Sequence, residues 1–245
     1  SGAYLKDSSN TLAHGTPTSA TFIPGKIGNA RGFTTSQYIS LGSQSLVDSK
    51  ANLTIDAWIF PTAQTAATTY YVYCENLILC IGQYGSQVLF QMGVSNFTVN
   101  DTTGGSLLMN QWNHVAWVKS GTSYYIYING VLTKSGTGAP ATLGTSSTVN
   151  YISTSNTSTS PWLGSIDELR MSDSVRTADE IRQAYEYGAR THSVTIDFGA
   201  HLDSGNLIAN NADTTFTVDA TVYGLTSKGA QLFPGDKIII KENYD

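Results

Sequence analysis

The sequence predicts an all-β protein: an antiparallel sandwich with one short helix near residues 178–187 and a small C-terminal β extension. Three observations carry this prediction. Short β-patterned runs recur through residues 1–190, separated by clusters of Gly, Ser, Thr and Asn, as in a sandwich or barrel of antiparallel strands. Asn129-Gly130 stands between two such runs and is the strongest two-residue hairpin signal. A single amphipathic stretch, Thr177 to Gly188, interrupts the β pattern.

In chain order, Gln37-Tyr-Ile-Ser-Leu41 alternates polar and apolar residues, as a half-buried strand does. Leu53 to Phe60 also alternates and stops at Pro61. Tyr70–Glu75 and Leu77–Ile81 bring Cys74 and Cys80 across a tight hairpin, either as a disulfide or as two buried thiols. Val88–Met92 and Phe97–Val99 are the next strands. Trp112–Val118 and Tyr124–Ile128 flank a Lys-Ser-Gly-Thr turn, and the second returns through Asn129-Gly130 to Val131-Leu132. Ile166, Leu169 and Met171 are the apolar positions of a closing strand, followed by a turn at Ser172–Val175. Thr177 and Glu180 form a capping box, Ile181, Ala184 and Tyr185 share a helical face, and Gly188 suits a left-handed stop. Beyond it, Ser193–Phe198, Thr215–Val218 and Lys237–Lys241 read as strands. The chain therefore divides into a sandwich at 1–190 and a β extension or partial β module at 191–245, the latter near the lower size limit for its own core.

Composition excludes several functions. Only 13% of the 245 residues are charged and the net charge is −5. Nucleic-acid binding needs clustered Lys and Arg to displace counterions, and the chain has no such run. No apolar run approaches the roughly 20 residues that span a bilayer, so no membrane insertion is expected. The neutral polar surface of Ser, Thr, Asn and Gly fits an extracellular or cell-surface protein. The opening Ser-Gly-Ala-Tyr-Leu-Lys fits a processed or trimmed start, and Asn52, Asn96, Asn100 and Asn156 stand in glycosylation sequons.

The closing segment from Gly164 to Tyr187 resembles the last strand and helix of laminin-G-like jelly rolls of the concanavalin A-like lectin and glucanase superfamily. Four further segments are similar to that family in the right order. They are Asp7-Ser-Ser-Asn10 with Phe22–Ala30, then Thr54–Pro61, Asn110–Val118 and Tyr125–Gly130. The resemblance covers roughly residues 4–188. It implies a concanavalin A-like antiparallel jelly-roll sandwich, used for binding or scaffolding more than for catalysis.

Glucanases of that fold carry Glu-x-Asp-x-Glu or Glu-x-Asp-x-x-Glu on one strand. Glu75, Glu168, Glu180, Glu186 and Glu242 match neither spacing, so no enzyme of that type is expected. The four histidines are dispersed, with His114 structural, and no transition-metal site is expected. The resemblance also implies that the N-terminal strand pairs with the last one, which would bring Asp7, Asn10 and Asp167 together as hard oxygen ligands for calcium. Sugar recognition relies on aromatic faces helped by hydroxyl and amide groups. Trp58, Trp112 and Trp117 fall at core positions, with Trp58, Trp112 and Val115 expected to be buried. Tyr71 and Tyr73, which alternation puts on one face with Tyr70 on the other, and Trp162 after its Ser/Thr-rich loop are the candidate ligand-binding residues.

The expected function is recognition or display within a larger surface protein, with a glycan or cell-surface ligand as partner. The alternative is a structural module of a surface layer or filament, self-assembling through its C-terminal strands. Three consecutive isoleucines at 238–240 want cover on both faces.

Overall fold

The computed structural model describes residues 5–9, 13–43, 46–75, 78–93, 100–155, 160–190, 194–197 and 238–241. It divides into two compact units, Ser1–Gly188 and Ala189–Asp245.

The first unit opens with four short strands, β1 (Thr16–Thr18), β2 (Thr21–Pro24), β3 (Asn29–Phe33) and β4 (Tyr38–Gly42). The long β5 (Asn52–Pro61) follows, then the antiparallel run β6 (Thr69–Glu75), β7 (Leu79–Tyr84), β8 (Gln87–Met92) and β9 (Asn100–Ser106). A second run comprises β10 (Asn113–Ser120), β11 (Ser123–Ile128) and β12 (Val131–Thr137). The short β13 (Asn150–Ile152), β14 (Gly164–Ser172) and the helix α1 (Ala178–Arg190) close it.

These strands form two seven-stranded sheets. The first has the order β1-β4-β13-β6-β7-β8-β9 and the second β12-β11-β10-β5-β14-β3-β2. Every pairing in both sheets is antiparallel. The expected all-β sandwich with one helix is therefore the observed architecture. Alternation decides the interior: Leu53, Ile55, Ala57 and Ile59 of β5 face Val115 and Trp117 of β10 and the residues Ile81, Val88 and Phe90 of the first sheet. Val115 is buried there, as expected.

Three sequence expectations need correction. Trp58 is buried, but on the outer side of the second sheet, because even-numbered positions of β5 point away from the interior. Trp112 is only half-buried: β10 begins one residue after it, and its ring stands edge-on to Phe60 at 5.5 Å. Gly188 is not a helix stop. α1 continues to Arg190, and a Cβ at Gly188 would lie 2.4 Å from the Trp58 indole nitrogen, so glycine there allows close approach.

The capping box does start the helix. The Thr177 N–H donates to Glu180 Oε2 at 2.7 Å, and the Glu180 N–H donates back to Thr177 Oγ1 at 3.2 Å. Ile181 packs on Ala116, Val118 and Tyr127, while Tyr185 stacks on Trp58 at 5.7 Å. The helix thus seals the outer face of the second sheet.

In the second unit, β15 (Val194–Asp197) and β16 (Ile238–Lys241) pair in parallel, Val194 opposite Ile238. The predicted strand at Thr215–Val218 lies outside the described residues, as does that at Phe97–Val99.

Candidate functional site

The outer face of the first sheet carries a row of directly opposed residues. Thr16 pairs with Ser40, Ser40 with Tyr151, Tyr151 with Cys74, Cys74 with Cys80, and Cys80 with Gln91. Residues opposed in this way point to the same side, with their Cβ atoms about 5 Å apart. Tyr38, two residues before Ser40, joins this face and meets Tyr151 edge-to-face with ring centroids 5.5 Å apart. Both tyrosines are half-buried, as is Ser40, and Thr16 is exposed. Each ring is thus fixed by its neighbour yet still offers surface. At the centre of the row Cys74 and Cys80 are joined by a disulfide, with Cα atoms 4.1 Å apart, and Leu89 and Tyr71 pack against it. Of the two alternatives for the cysteines, the structure has the bonded one.

The candidates Tyr71, Tyr73 and Trp162 are not where the sequence reading placed them. A bulge falls between Tyr71 and Tyr73. It shifts the alternation by one residue, so Tyr70, Val72 and Tyr73 enter the interior while Tyr71 stays outside with Cys74. The Tyr73 side chain is fully buried, its hydroxyl donating to Glu75 Oε2 at 2.7 Å. Trp162 is equally buried, its indole N–H donating to the Ser165 carbonyl at 3.3 Å. Neither ring has a face for a sugar. Tyr71 is buried beside the disulfide.

Tyr38, Ser40 and Tyr151 were missed. The alternation around Ile39 and Leu41 does put Tyr38 and Ser40 on the outer side, so that half was available in the sequence. The Tyr151 half was not, because β13 is three residues long inside a Ser/Thr-rich stretch.

The expected calcium set divides among different loops. β1 pairs with β4 of the first sheet, whereas β14 lies between β3 and β5 of the second, so the first strand is not beside the last. The Asp7 carboxylate accepts the N–H groups of Ser9 at 2.8 Å and Ala13 at 2.9 Å. Asp167 accepts those of Ile27 at 2.8 Å and Glu168 at 2.9 Å, and so holds the β2–β3 turn. Burial pushes the Asp167 carboxyl above its ordinary value, against the backbone N–H bonds that favour its charged form. Asn10 lies outside the described residues. Among the described residues no group of three or more His, Cys, Asp or Glu side chains converges on a metal-sized site.

Two further carboxylates are buried. Asp56 lies under the closing segment and binds Arg170 Nη2 at 2.7 Å, Arg176 Nη1 at 3.3 Å and His114 Nε2 at 3.4 Å. Burial raises its pKa, but His114 and Arg170 outweigh this and hold the carboxyl below its ordinary value. Arg170 reaches Asp56 because a bulge between Asp167 and Arg170 re-aims β14, with Glu168 at a positive φ of 49°. Glu75 faces the sandwich interior near Asp48 and Tyr73. Burial comes first among the causes that push its pKa up to about 7, and Asp48 adds to it. Glu168 is exposed and Glu180 and Glu186 lie on the helix, so the described glutamates do not assemble a pair of carboxylates on one open face.

A family model described as the concanavalin A-like lectin/glucanases superfamily matches residues 33–182, more than half of the chain. No curated protein matches the sequence. Among solved structures, the chain is similar to the binding domain of Paraclostridial Mosquitocidal Protein 1, with TM-score 0.63 and 13% identity over 80% of this chain and 52% of that one. It is similar to domain 4 of an extracellular GH43 arabinanase from Geobacillus stearothermophilus, in complex with arabinotriose. There the TM-score is 0.53 with 22% identity, over 68% of this chain and 81% of that one. The ligand-binding domain of botulinum neurotoxin serotype D, in complex with N-acetylneuraminic acid, gives TM-score 0.58 and 12% identity over 78% and 52%. The chain matches about half the length of those toxin domains.

Proposed function

The chain belongs to the concanavalin A-like lectin/glucanase superfamily, and from that premise we propose that it is a non-catalytic glycan-recognition module of a larger extracellular or cell-surface protein. The observation that carries this reading is the half-buried Tyr38–Tyr151 pair, set in one lateral row with the hydroxyls of Thr16 and Ser40. Aromatic faces stack on the C–H side of a sugar ring while hydroxyl groups take up its polar edge. The disulfide beneath the row makes this part of the sheet stiff, which lowers the ordering cost of binding. The helix covers the outer face of the second sheet around Ala116, Val118 and Trp58. On the first sheet's outer face Cys74, Cys80 and Leu89 are buried, and surface is offered on the β1-β4-β13 side, at Thr16, Tyr38, Ser40 and Tyr151. The similar binding domain of the mosquitocidal protein, and the similar arabinanase domain 4 in complex with arabinotriose, support the same reading.

Catalysis is disfavoured by where the acids are. Glu75 is enclosed with Tyr73, and Asp56 is neutralised by two arginines. A structural role with self-assembly through residues 191–245 is the second reading. It is motivated by the apolar β16, whose described partner is β15 alone.

A glycan array probed with the full chain, alongside Tyr151→Ala, tests the first reading. A defined set of hits lost in the variant, at an unchanged melting temperature, supports it. A blank array together with ordered multimers in solution supports the second reading instead.

A further inference from the structure

We propose that the outer face of the first sheet selects neutral oligosaccharides and discriminates against sialylated, uronic or sulfated ones; this rests on the glycan-binding reading above and names its ligand class. The seven strands of that sheet read TPT, YISLG, NYI, TYYVYCE, LCIGQY, QVLFQM and NDTTGGS, without one lysine or arginine. The segments that follow β8 and β13, Val94–Val99 and Ser153–Pro161, are also free of charged residues in sequence.

Seven of the described cations of the first unit are engaged elsewhere. Arg170 and Arg176 hold Asp56, and Arg182 pairs with Asp179 and Glu186 on the helix. Lys50 pairs with Asp173. Lys119 is fully buried and donates to the carbonyls of Ala51, Gly121 and Ala141. Arg31 lies over the Phe22 ring at 3.3 Å and Lys26 over Trp58 at 5.0 Å. Lys134 belongs to the other sheet, and exposed Lys6, beside the Leu5–Gly15 bridge that precedes β1, stands at the Thr16 edge of this face, away from the Tyr38–Tyr151 pair.

A carboxylate or sulfate placed on this face would lose hydration without gaining the charge-assisted, bidentate bonds that arginine supplies. The net charge of −5 adds long-range repulsion. A neutral sugar incurs neither cost. Its C–H face meets a tyrosine ring, and its hydroxyls meet groups that can both donate and accept, at Thr16, Ser40 and the tyrosines.

The test uses the full chain on matched glycan pairs, each oligosaccharide core with and without a terminal sialic acid, uronate or sulfate, at low and high NaCl. Hits are titrated against Tyr38→Ala, Tyr151→Ala and, as a folding control that keeps the ring, Tyr151→Phe, all with melting temperatures recorded. The expected result is binding to the neutral members, with less than about twofold change across the salt range. A loss of about tenfold or more is expected in either alanine variant, and a smaller loss in Tyr151→Phe, which keeps the ring and gives up only the hydroxyl. Preference for the acidic members, or binding that salt abolishes, overturns the inference while glycan recognition stands. Neutral binding untouched by both alanine variants overturns it too, since the ligand then sits elsewhere. Absence of any glycan binding removes the parent reading and the inference with it.

Discussion

The indole N–H of Trp117, on β10 of the second sheet, donates to the carbonyl of Leu89, on β8 of the first, across 3.0 Å. It is a polar tie between the two layers within a mostly apolar interior, made by a side chain with no exposed surface. Leu89 also belongs to the outer cluster around the disulfide, so the tie links the core to the floor of the proposed binding face.

Trp117→Phe should destabilise the protein by about 2 kcal/mol, through lost volume and the lost inter-sheet bond, and Trp117→Ala by about 3–5 kcal/mol. Urea unfolding at unchanged m-value measures both. A Trp117→Phe variant as stable as the parent would mean that the inter-sheet bond contributes nothing.

Glu75 makes stability fall as pH rises through neutrality. Its carboxyl titrates near 7 in the fold against an ordinary value of 4.5. Between these values the native state binds more protons than the unfolded chain, so stability declines over that window, by as much as about 3 kcal/mol, and is constant above it. Glu75→Gln keeps the shape and removes the titration. The variant should show a flat profile from pH 5 to 8 and exceed the parent at pH 8. A parent profile already flat across that range would refute the assignment.

The Asp167 carboxylate holds the Gly25–Gly28 turn through backbone N–H groups, and a Cβ at Gly25 would come within 2.5 Å of its Oδ2. Asp167→Asn should cost about 1–2 kcal/mol, since one oxygen becomes a donor facing donors. The loss is expected to be equal in chelator and in millimolar calcium. A loss seen only with calcium present would assign the carboxylate to an ion rather than to the turn.

Much of the fold was legible from local sequence. Leu53-Thr-Ile-Asp56 alternates, so β5 follows from the pattern, although the apolar run Ala57–Phe60 does not say which side Trp58 takes, and Asn129-Gly130 dictates the β11–β12 hairpin, with φ of 52° and 77°. Thr177 and Glu180 likewise specify the helix start, because both partners of the capping box lie within one turn.

The candidate site was legible only in part, for a physical reason. A strand's face is fixed by counting in twos until a bulge adds a residue, and the bulge at Tyr71–Tyr73 shows itself only in the pairing of β6 with β7. Trp162 carries no local sign of burial; it is enclosed by residues distant in sequence. Tyr151 becomes part of a surface only because β13 is inserted between β4 and β6, strands formed by residues 38–42 and 69–75. The sequence by itself determined the strands that carry their own periodicity, the hairpin, the helix cap and the absence of cationic clusters. Tertiary structure decided which aromatics face outward and which residues stand side by side, because lateral neighbours in a sheet are set by long-range pairing that no local pattern encodes.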